Sequence, residues 1–124
     1  MNIARCLTIT TALVVISTMV LAKDPNCASP EAWPSSMAFT HLKNAGILDS
    51  KRLDFQKTRV HVLTSEKIGR DLYRQVHLVR FQNKSGEQVS AITINEVSHE
   101  ECSMSNVDVY LVSEKFGNYS NPKK

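Results

Sequence analysis

His99-Glu100-Glu101-Cys102 is the densest run of potentially reactive side chains in the sequence. Imidazole, carboxylate and thiolate are all transition-metal ligands. A cysteine beside a histidine can also be activated as a nucleophile. The spacing, however, matches no standard zinc pattern. His61 and His77 fall in neighbouring extended segments, but two rings alone make a poor zinc site, which takes three or four ligands. His41 sits at the edge of an apolar helical stripe and reads as a boundary residue. Glu100 and Glu101 have the chemistry of acid/base catalysis, although adjacent carboxylates in a loop are ordinarily just solvated. No Gly-x-Ser-x-Gly, His-Glu-x-x-His or phosphate-cradling glycine loop occurs, and 4 glycines leave little scope for one. The expectation is a protein that is not an enzyme and has no cofactor and no metal site.

Cys102 also has a competing use. Met1-Asn2-Ile3-Ala4-Arg5 carries one positive charge, and Cys6 to Leu21 carries none. Val20-Leu21-Ala22 offers a cleavage site before Lys23-Asp24-Pro25 breaks the apolar pattern. These are the parts of a cleavable signal peptide, residues 1–22. Thr8, Thr10, Thr11, Ser17 and Thr18 dilute the run below what a membrane anchor needs. Asp24-Pro25-Asn26 before Cys27 is too polar for a lipidation site. Cleavage removes Cys6 and leaves Cys27 and Cys102. In an oxidising compartment two cysteines in a small domain pair. The bond would close a loop of about 76 residues, worth about 4.5 kcal/mol in the chain-entropy model. It would also take Cys102 out of the reactive cluster. The expected location is periplasmic or secreted.

Residues 23–124 have the length of one small domain. The chain has 15 basic and 12 acidic residues and a formal charge of +3, which falls to +2 without Arg5. The basic residues are scattered, which argues against nucleic acid as a partner. Asn83-Lys84-Ser85 and Asn118-Tyr119-Ser120 are glycosylation sequons, relevant only to a eukaryotic secretory route.

The elements that must position these residues follow from periodicity. Pro25, Pro30 and Pro34 punctuate an irregular start. Ser35 or Ser36 offers an N-cap, and Met37, Ala38, His41, Leu42 and Ala45 recur at helical spacing. Gly46 is a natural stop. A helix is expected near residues 36–45, with Trp33 on its stripe and Leu53 and Phe55 as satellite core residues. The period then becomes alternating. Strands are expected over 58–65, 71–82, 88–97 and 107–113, with a turn near 67–70 and a hairpin turn at Asn83-Lys84-Ser85-Gly86. Residues 117–124 read as a frayed polar tail.

Short connections favour antiparallel neighbours, and the helix is the element available to cover the sheet. The expected fold is α+β: one N-terminal helix packed on a four-stranded antiparallel, meander-like curved sheet. In architecture alone this resembles the cystatin-like and NTF2-like outline, which says little about function.

What remains for function is surface. Arg59, His61, Tyr73, Arg74, His77 and Arg80 are the candidate protein-binding residues, since arginine and aromatic side chains are enriched at interface cores. The leading expectation is a small exported, non-catalytic protein that binds another protein, as an immunity protein or an enzyme inhibitor does. It would have no nucleic-acid partner and no stable membrane anchor after signal cleavage. The alternative is a small-ligand pocket between helix and sheet, lined by Trp33, Met37, Phe39, Tyr73 and Phe81. A third is a metal or thiol site at His99–Cys102.

Overall fold

The computed structural model describes residues 22–112. Residues 1–21 of the expected signal peptide and the expected tail at 117–124 lie outside the described residues. Helix α1 (Trp33–Asn44) is followed by a short 3-10 turn (Phe55–Lys57). Four strands complete the fold: β1 (Arg59–Gly69), β2 (Leu72–Gln82), β3 (Gln88–Val97) and β4 (Asp108–Val112). They form one antiparallel sheet in the order β1-β2-β3-β4. The fold is therefore the expected helix on a four-stranded curved meander. The likeness to the cystatin-like and NTF2-like outline goes no further than that layer order.

The helix begins earlier than its serines suggest. Ala32 occupies the N-cap, with no side-chain cap. Pro34 lies in the first turn, where a missing N–H costs nothing because that donor has no helical partner. The Ser35 hydroxyl instead donates to Ser29 O (2.8 Å) and is buried. The far end behaves as expected. Gly46 takes φ +73°. Its N–H donates to Lys43 O, and the N–H of Ile47 donates to Leu42 O. This is the Schellman arrangement, which satisfies two carbonyls of the last turn.

The sheet face turned toward α1 is here called inner. Ala38 and Leu42 bury against Val79, Phe81 and Ala91 on that face. Phe39 and Leu53 pack at the margin of this cluster. Trp33 and Phe55, expected in the core, are exposed. A second cluster joins Cys27, Tyr73 and Val97. There the segment Lys23–Cys27, not the helix, covers the sheet. Cys27 and Cys102 form the expected disulfide, with a sequence separation of 75. No described helix is long and apolar enough to cross a membrane.

Candidate functional site

Cross-strand partners share a face. Arg59 lies opposite Arg80, His61 opposite Leu78, and Glu66 opposite Arg74. Across the next ladder Arg74 faces Glu96, Val76 faces Ile94, and Leu78 faces Ile92, which in turn faces Tyr110. All these residues lie on the outer face, away from α1. Val76, Leu78, Ile92 and Ile94 are half-buried by one another, and Tyr110 is exposed. The result is an apolar stripe across the middle of a sheet face that no other described element covers. Arg59 and Arg80 lie at one end of it, and Glu66, Arg74 and Glu96 at the other. Arg74 and Glu96 form an ion pair at 3.4 Å.

Four of the six candidate protein-binding residues thus share one surface: Arg59, His61, Arg74 and Arg80. Tyr73 and His77 do not join them. Both lie on the inner face and are buried, His77 completely. The reason is the two-residue period of a strand: odd positions of β2 face inward and even positions outward. The register that brings Arg59 and His61 into this group changes one residue later. A bulge between Val62 and Thr64 shifts the pairing, so that Leu63 is the extra residue.

The inner face holds a polar group between its two apolar clusters. Gln75 is opposite Asn95, and His77 is opposite Thr93. All four are buried. Gln75 Nε2 donates to Pro25 O (2.8 Å) and Ser65 Oγ (3.1 Å). Asn95 Nδ2 donates to Cys102 O (2.8 Å). Among the described residues no group bonds Gln75 Oε1, Asn95 Oδ1, Thr93 Oγ1 or either ring nitrogen of His77. Burial pushes the His77 pKa down, since a charged ring there would lose its hydration.

The His99–Cys102 cluster is structural. Cys102 lies in the disulfide and has no thiol to offer. His99 Nε2 meets Lys23 O (2.6 Å), and its Nδ1 meets the Asp71 carboxylate. Two acceptors require two N–H donors, which imidazole has only when protonated. The Lys23 carbonyl and then Asp71 accordingly hold the His99 pKa above its ordinary value. The hydrogen bond from His99 lowers that of Asp71. The ring stands edge-on to Tyr73. Among the described residues no three His, Cys, Asp or Glu side chains converge as a metal site.

The pocket-lining residues also part company. Phe39 and Phe81 meet at a tilt with centroids 6.3 Å apart and pack with the Ala38, Leu42 and Val79 cluster under the helix, Tyr73 belongs to the other cluster, and Trp33 faces solvent. The clefts near these elements open at the edges of the fold. One of about 160 Å³ lies beside Gly46–Leu53, and one of about 300 Å³ lies between Lys23–Asn26 and Gln75. No protein-family model, curated protein or solved structure matches the chain.

Proposed function

We propose that the protein is a small exported binding protein without catalysis of its own, and that it holds another protein against its outer sheet face. The carrying observation is the apolar stripe of Val76, Leu78, Ile92, Ile94 and Tyr110, bracketed by charged residues and covered by none of the described elements. Apolar centres with polar rims are the usual anatomy of protein interfaces. Two further features support the reading. The space beneath α1 is filled by side chains, and the reactive-looking cluster is used up by a disulfide and a latch. Such a protein acts by covering a site on its partner, as an immunity protein or an inhibitor does. The disulfide fits the oxidising compartment to which the signal-like segment would deliver it.

Site-specific photo-crosslinking in the producing cells tests this. A photoreactive residue at Ile92 or Tyr110 should give one discrete heterologous adduct. The same probe at Thr40, on the solvent side of α1, should not. Identical patterns at all three positions, or no adduct at any, would overturn the proposal.

A further inference from the structure

We propose that the cleft between Arg59 and Arg80 is a carboxylate-receiving site, and that the partner held by the outer face enters it with acidic side chains. This rests on the outer face being the protein-binding surface. The two arginines are direct cross-strand partners on that face. Like charges directly opposite are destabilising in a sheet, and among the described residues neither has a carboxylate within 4.0 Å. Arg74, on the same face, is by contrast neutralised by Glu96. The cleft between Arg59 and Arg80 has a volume of about 390 Å³ and is also lined by Lys57, His61, Phe81, Gln82 and Gln88.

Arg59 is already oriented. Its Nη1 donates to the carbonyls of Gln56 (2.8 Å) and Thr58 (3.0 Å). Its remaining N–H groups stay available to a ligand. The Arg80 side chain makes no hydrogen bond among the described residues. Two planar guanidinium forks suit paired carboxylate oxygens. The cleft runs into the apolar stripe, because His61 and Leu78 form the next row after Arg59 and Arg80. A segment mixing acidic and apolar side chains therefore matches both. A free polyphosphate matches less well, because it would leave the adjoining apolar row of Leu78 and Ile92 uncovered.

The test is a two-dimensional NMR titration of the purified protein, following backbone amides and arginine Nε–Hε groups. The probes are a synthetic peptide of alternating Glu and Leu, inorganic phosphate and a short DNA duplex. Saturable shifts are expected with the peptide at Arg59, Arg80, Leu78 and Ile92. R80Q should weaken the peptide about tenfold, with R80K intermediate because it keeps the charge without the fork. Peptide shifts at Leu78 and Ile92 that R80Q leaves unaltered would overturn the carboxylate site while sparing the binding face. Absence of saturable shifts with the peptide would overturn the site, and the crosslinks from Ile92 and Tyr110 would still judge the face separately. Tighter binding of phosphate or DNA than of peptide would overturn it in favour of a phosphate ligand. A dimeric mass in solution that R80Q reduces to a monomer would overturn it in favour of a second copy of the chain.

Discussion

At the scale of single residues, His77 in the sheet and His99 in the loop after β3 respond to pH in opposite directions. His77 is buried and its pKa is lowered by desolvation. Below its ordinary value of about 6.5 the unfolded chain takes up a proton that the folded chain refuses. Stability is therefore expected to fall as pH drops below about 6.5, until the folded value is reached. Urea titrations between pH 8 and 5 would show this slope, and His77→Leu should flatten it. At pH 7 that substitution should cost little or even stabilise, because an unpartnered buried polar group costs about 1–3 kcal/mol. His99 has a raised pKa and Asp71 a lowered one. The contribution of His99 is complete below about 6.5 and fades as pH rises through its folded value. That of Asp71 fades as pH falls through its own folded value, below about 3.9. An NMR titration of the His99 ring should give a midpoint above 6.5, and Asp71→Asn should bring it down. A midpoint at or below 6.5 in the parent protein would contradict the latch.

At the scale of elements, α1 carries an unmet need at its start. The Ala32 carbonyl accepts from the Ser36 N–H, but the Ala32 side chain offers no acceptor to the N–H groups before it. Ala32→Asp supplies one and should stabilise by about 1 kcal/mol in thermal or urea unfolding. The other end should show the reverse. A Cβ on Gly46 would meet nothing within 4 Å, but the residue sits at φ +73°. Gly46→Ala is expected to cost about 1 kcal/mol from backbone strain alone. The stop at Gly46 was legible in the sequence because a glycine after an apolar stripe has one good use. The start was not, because Ser35 and Ser36 look like caps and Pro34 looks like a breaker. Only the packing of Ser35 against Ser29 decides between them. Strand parity was equally legible and separates Tyr73 and His77 from Arg74 and Arg80 within β2. The side of the sheet that receives α1 was not. Both faces of β2 mix apolar and polar residues, and the buried one includes Gln75 and His77.

At the scale of the whole molecule, one helix covers part of the inner face and a disulfide-tied segment another part, while Val62 and Leu111 stay exposed at its margins. The sequence announced the cysteine pair but not the partners around it. Asp71 and Lys23 meet His99 from 28 and 76 positions away, and no local pattern encodes such distances. The polar group of Gln75, His77, Thr93 and Asn95 also had a readable trace, as polar residues at alternating positions on the face away from Leu78, Ile92 and Ile94. The cross-link should be decisive for stability. Replacing both Cys27 and Cys102 by Ala is expected to remove about 4.5 kcal/mol, against a total of about 5–15 kcal/mol for a domain. Urea unfolding measures the loss. Alkylation in denaturant should find both sulfurs of the parent protein blocked.

The disulfide also imposes an order in time. Its two sulfurs are 75 positions apart in the chain, and Cys102 is held near Cys27 only once β3 lies beside β2. At synthesis rates of about 5–20 residues per second, Cys27 emerges roughly 4–15 s before its partner. Through that interval it has no Cys102 to pair with and is exposed to any oxidant and to other nascent chains. The by-product this favours is a covalent pair of molecules joined through Cys27. It should accumulate on a non-reducing gel when disulfide isomerase is withdrawn, persist in Cys102→Ala, where Cys27 stays unpaired, and vanish when both Cys27 and Cys102 are replaced by Ala.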